Sequence, residues 1–189
     1  DWTPQFSIAA RRKLLLEQHN VTWVNIFDSI CAYYDALLGQ EEQIPPLFRE
    51  HQLSTVNFLA PGKPMMDLVE NQVYLVQGAY AKVIARSEGL LAVCDSLHYS
   101  LVALHIQLQT AAAYEMLGKH DEAQVIFAAA IENAVPDQLL LPFVENYRYL
   151  SNLIAETPGD FSTQVTALAE PYQQPSCYKA PAIPRAFPC

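Results

Sequence analysis

The fold class the sequence predicts is all-α, built from repeated helix pairs, and three observations carry that prediction. Tyr34, Tyr74 and Tyr114 recur every 40 residues, each followed four or five positions later by a glycine, Gly39, Gly78 and Gly118. Self-similarity at a period of this length marks stacked helical units. Apolar residues also fall at steps of three and four through most of the chain, the signature of one helix face. Finally, Ala111, Tyr114, Gly118, Ala123, Phe127 and Ala130 stand at the offsets where a helix pair needs small residues for close approach, an aromatic ring between the helices and a turn residue.

The earlier copies keep this spacing with weaker content. The same offsets hold Asn71, Tyr74, Gly78, Val83, Ser87 and Leu90 in the middle copy, where two packing residues have become polar. In the first copy Gly39, Ile44 and Phe48 keep the register, and Tyr34 stands one residue early. Such offsets belong to a tetratricopeptide-like helical-repeat superhelix, whose stacked pairs leave a concave face and whose function is binding.

Taken in order, residues 4–18 form a first helix with Pro4 in its opening turn. From Val21 to Leu38, the residues Val24, Phe27, Ile30, Cys31, Tyr34, Leu37 and Leu38 define the apolar face of a second helix that Gly39 ends. Pro45-Pro46 opens a short helix to His51, and the Pro- and Gly-containing stretch 57–64 reads as a loop. Helix pairs follow at 65–77 with 79–94 and at 97–117 with 120–134; Asp121 and Glu122 suit the first turn of the last. Pro136, Pro142 and the Thr157-Pro158-Gly159-Asp160 turn divide the C-terminal part into short helices, the last at 161–170. The helical domain therefore spans 1–173, and 174–189 is a Pro-rich linker or tail.

Composition bounds the function. The 189 residues are 51% hydrophobic, enough for a core in one domain or a small solenoid. Eleven Lys and Arg against 20 acids give a net charge of -9, which opposes nucleic-acid binding by this segment. Arg11-Arg12-Lys13 reads as a solvated helix face. Cys31, Cys94, Cys177 and Cys189 form no CxxC pair, and the first two lie on apolar helical stretches, which favours a reducing, cytoplasmic compartment and no metal site. No apolar run approaches a membrane span, and the start at Asp1 reads as a piece of a longer protein.

No constellation for catalysis emerges. His98 and His105 share a helix face, but seven residues separate them by roughly 10.5 Å, too far for one metal without other ligands. Gly62-Lys63 lacks the upstream glycine of a phosphate loop and is followed by Pro64. Ser96 and Ser100 near His98 have no orienting carboxylate at helical spacing. The acidic pairs Glu41-Glu42 and Asp121-Glu122 read as solvated helix starts. The expectation is a non-enzymatic, cofactor-free binding protein.

The run from Ala111 to Ala123, then Ala128-Ala129-Ala130-Ile131, then Pro142-Phe143-Val144-Glu145-Asn146, resembles the helical-repeat region of large LuxR-type, MalT-like bacterial transcriptional regulators. The loop from Phe58 to Pro64 is similar to one in a subgroup of them. The similarity covers about residues 25–156, and Pro-Phe-Val-Glu-Asn is its most specific part. It implies an effector-sensing or protein-interaction region, with DNA contacted only through a helix-turn-helix domain absent from this chain; any upstream nucleotide-binding module is absent too. The partner implied is a small-molecule inducer or a protein, with no membrane. The alternative is a scaffold of the same fold for a non-transcriptional partner.

If Ala111 and Tyr114 pack internally, helix geometry turns His105, Leu108, Ala112, Glu115 and Met116 toward the concave side, with Leu68, Gln72 and Leu75 their counterparts one repeat earlier. This set mixes apolar and polar groups as a ligand groove does. A closed bundle would instead have to pair or expel Gln72 and Glu115.

Overall fold

In the computed structural model, residues 8–58 and 60–173 are described. Among them the regular structure is entirely helical: α1 Ile8–Glu17, α2 Val21–Leu37, α3 Pro46–Arg49, α4 Lys63–Val76, α5 Tyr80–Leu97, α6 Ser100–Met116, α7 His120–Ala134, α8 Leu141–Glu145, α9 Tyr147–Glu156 and α10 Asp160–Gln173, with short 3-10 turns between some of them. Pro4 and the 174–189 tail lie outside the described residues. No helix in the described part is long and apolar enough to cross a membrane.

The 40-residue period has a physical cause in how the helices stop. Gly39, Gly78 and Gly118 all take left-handed backbone, at φ 70°, 71° and 71°. Each glycine amide donates to the carbonyl three residues back, and the next amide donates to the carbonyl five back, on Asp35, Tyr74 and Tyr114 respectively. This is the Schellman closure, in which a left-handed residue lets two otherwise orphaned carbonyls be satisfied. The same pair of bonds closes the chain at His19, His51, His98 and Gln138, with φ between 54° and 56°. A stop therefore falls at 78, 98, 118 and 138.

Stacking follows from the small residues. Ala32, Asn71 and Ala111, each seven residues before Gly39, Gly78 and Gly118, are all fully buried. So are Ile44, Val83 and Ala123 on the partner elements. α4 packs on α2 and on α6, α6 packs in turn on α9, and α5 and α7 each flank α6. Two apolar clusters result, one around Phe48, Val73 and Ile106, the other around Leu108, Phe127, Phe143 and Leu153. α6 is the wall between them, which is why it buries residues on nearly all sides.

Several expectations need correcting. α2 buries Val24, Asn25, Asp28, Ser29, Ala32 and Ala36, a face rotated from the apolar stripe, and Tyr34 is 59% exposed. Small residues permit close approach to α4, and Asp28 is acceptable inside because Arg12 of α1 bonds both its oxygens at 2.6 and 3.0 Å. Arg12 is thus part of a helix contact and not merely solvated. α4 begins at Lys63, inside the expected loop, with Pro64 in its first turn where a missing N–H is harmless. α5 runs to Leu97, so His98 caps α5 and does not share a helix with His105. α10 continues through Pro171.

Candidate functional site

The strongest candidate lies where three elements distant in sequence meet. Tyr33 of α2 donates its hydroxyl to Glu145 Oε2 of α8 at 2.7 Å, and His105 Nδ1 of α6 lies 3.4 Å from the same hydroxyl oxygen. The imidazole is 3.9 Å from the carboxylate. His105 and Glu145 line a cavity of about 430 Å³, whose other walls are Leu101, the segment Gln138 to Pro142, Val144 and Leu168. Leu101, Leu141 and Leu168 are exposed and form an apolar rim.

Burial sets the protonation states. Desolvation pushes the His105 imidazolium down to a pKa of about 4, so the ring is neutral at pH 7. The Glu145 carboxyl is raised by the same cause, opposed by the Tyr33 hydrogen bond. Tyr33 is held far above its ordinary value by burial and by the adjacent carboxylate, so it acts as a hydrogen-bond donor and not as a base. Its one proton points to Glu145, leaving a lone pair toward His105. In the tautomer that lets Nδ1 donate to that lone pair, Nε2 is an acceptor.

The structure divides the eight residues expected to share a groove. Leu68, Gln72, Leu75, Leu108 and Ala112 are buried between helices. Gln109 Nε2 donates to Gln72 Oε1 at 2.9 Å and to the Leu68 carbonyl at 3.1 Å, so Gln72 is tied into the α4–α6 contact and not turned to a ligand. Glu115 is occupied by His120 Nδ1 at 2.8 Å and by Asn152 at 3.2 Å, while His120 Nε2 reaches Glu156 at 2.8 Å. These carboxylates raise His120, Glu115 first. Met116 is exposed at the end of α6. Only His105 reaches the cavity, because α9 and α4 cover the flanks of α6 that the groove required to be open.

Sequence reasoning missed Tyr33 and Glu145 as site residues. Tyr33 neighbours the periodic Tyr34 and carries no pattern of its own, and Glu145 entered only as part of Pro-Phe-Val-Glu-Asn. A second cleft of about 400 Å³ between α9 and α10 has Glu170 as its ionisable lining residue. Its Thr157, Thr163 and Thr166 hydroxyls bond back to the carbonyls of Leu153, Gly159 and Ser162. Asp67 and Glu70 are held by Lys63 and Arg86, and His51 stacks on Tyr74, in a network that closes on itself. Among the described residues there is no group of three His, Cys, Asp or Glu placed to hold a metal ion. No protein-family model matches the chain, and neither a curated protein nor a solved structure matches it.

Proposed function

We propose that this chain is the effector-sensing region of a LuxR-type transcriptional regulator, a non-enzymatic, tetratricopeptide-like module in the cytoplasm. The observation that supports the reading is the Tyr33–Glu145–His105 chain beside an open cavity. It joins α2, α6 and α8 across 112 residues of sequence, so an occupant held there bears on the packing of early and late helices at once. Sensing requires that the occupant favour one packing over another, since a ligand shifts an equilibrium only by its differential affinity. DNA would be bound by a domain outside this chain, in keeping with its charge of -9.

One observation favours the alternative, a scaffold for a non-transcriptional protein partner: Trp23, Ile30 and Tyr34 are all exposed on α2. The full-length gene product separates the two. A basic helix-turn-helix outside residues 1–189, with specific DNA binding that changes when the cavity is filled or plugged, supports the regulator. Its absence, or specific submicromolar duplex binding by residues 1–189 alone, overturns that reading.

A further inference from the structure

The polar side chains lining the cavity, His105, Gln138 and Glu145, each have an accepting atom left over. Glu145 Oε2 is taken by Tyr33, while Oε1 has no partner among the described residues. With the Tyr33 proton given to Glu145, the hydroxyl oxygen 3.4 Å away can accept from His105 Nδ1, and in that tautomer Nε2 is an acceptor. Gln138 uses its amide N–H on the Val135 carbonyl at 3.3 Å, leaving its oxygen over. The rest of the lining is leucine, proline and valine, and no lysine or arginine is among the lining residues.

An occupant must therefore donate at one end and be apolar elsewhere. A carboxylate or phosphate would face Glu145 with no cation to offset the repulsion. A plain hydrocarbon would cover these acceptors without pairing them, which is costly. A sugar would bury many hydroxyls against leucines. We propose that the cavity binds a compact apolar amine, its ammonium group donating to Glu145 and His105 and its hydrocarbon body packed on Leu101, Leu139, Leu140 and Leu168. The volume, about 430 Å³, lies at the small end of ligand pockets and suits such a molecule. The ligand class deepens the sensing reading above and rests on the same cavity.

The pH dependence has a definite sign. The titratable groups lining the cavity are His105 from α6 and Glu145 from α8, the latter bonded by Tyr33 of α2; α10 contributes Leu168. Burial raises the Glu145 carboxyl, so in the empty cavity it protonates above the ordinary range, and an ammonium ion stabilises the ionised form. Amine binding thus releases a proton and strengthens as pH rises through the raised value, up to the amine's own deprotonation.

Three near-isosteric probes test this on the full 189-residue chain: 2-phenylethylamine, 2-phenylethanol and 3-phenylpropanoate, followed by calorimetry and by the His105 ring resonances. The amine is expected to bind about 10- to 100-fold tighter than the alcohol, as a charge-assisted hydrogen bond provides, with no detectable carboxylate binding. Glu145→Gln, which keeps an acceptor for Tyr33, should bring amine and alcohol to parity. Leu168→Trp at the exposed rim should abolish binding of both without disturbing the chain to Tyr33. Equal binding of amine and alcohol, carboxylate binding, an amine preference that survives Glu145→Gln, or no binding by any probe overturns the proposal. Amine binding that leaves DNA binding by the full-length regulator unchanged overturns the sensing reading alone. A response to the alcohol in place of the amine overturns the ligand class alone.

Discussion

Asn71→Ala should make the protein more stable. Asn71 has 0% exposure, and neither its amide nitrogen nor its amide oxygen has a hydrogen-bond partner. It stands seven residues before Gly78, as the buried Ala32 and Ala111 stand seven residues before Gly39 and Gly118. A buried amide left unpaired costs about 1–3 kcal/mol, and alanine improves helix propensity by about 0.5 kcal/mol over asparagine. Against this, removing the amide opens roughly 25 Å³, worth about 0.6 kcal/mol at the cavity coefficient, plus the contacts those atoms make. The balance is a stabilisation of about 1 kcal/mol, or a rise in Tm of roughly 2–4 °C for a chain of this size. Urea denaturation followed by circular dichroism reads it as a higher midpoint at unchanged slope. The reciprocal Ala111→Asn, which forces an amide into a tightly packed helix contact, should cost about 2–4 kcal/mol. If Asn71→Ala instead destabilises by more than about 1 kcal/mol, the amide is satisfied in solution and the departure from alanine is compensated.

Three further outcomes follow from the packing and the site. Phe127→Ala, which removes a ring set edge-on to Phe143 at 5.7 Å, should cost about 3–5 kcal/mol, whereas Tyr34→Ala on the exposed face should stay within about 0.5 kcal/mol; equal effects in a denaturation comparison would mean the register of the repeats is wrong. His98→Gly should stabilise by about 0.5–1 kcal/mol, because φ is 56° there and glycine reaches left-handed backbone without the Cβ clash; a loss of midpoint would show that the imidazole has a partner in solution. His105, lowered to about 4 in the folded state from 6.5, contributes stability that is present above about pH 6.5 and lost as pH falls toward 4, on the order of 3 kcal/mol. The raised Glu145 carboxyl works in the opposite direction over the acid range, so the contribution is read as the difference between wild type and His105→Phe in denaturations at pH 7 and pH 4.5. A variant as acid-labile as wild type would refute it.

How much of this was legible in the sequence depended on whether a constraint repeats. The glycine period announced itself because left-handed backbone is cheap for glycine, and three of the Schellman closures use it. The closures at His19, His51, His98 and Gln138 have the same hydrogen bonds and were invisible, since a residue other than glycine in that conformation leaves no compositional mark. Helix existence was readable from apolar spacing throughout. The buried face of α2 was not, because Asp28 is inside only by virtue of Arg12, sixteen residues away. A pairwise compensation of that kind has no period and no motif.

The candidate site was hidden for the same reason, and the error about the groove shows why. The reading from helix geometry placed Gln72 and Glu115 on an open face because polar residues belong in water unless something pairs them. The structure supplies partners, Gln109 for the Gln72 oxygen and His120 with Asn152 for Glu115, and so uses these acceptors to hold helices together. His105 escapes that fate at one nitrogen only. Tyr33 lies at its Nδ1, while Nε2 and the second Glu145 oxygen have no partner among the described residues, in a cavity otherwise lined by leucine, proline, valine and Gln138. Unspent hydrogen-bonding capacity beside a cavity, and not polarity as such, is what distinguishes a place that can select an occupant from a polar contact that stabilises the fold.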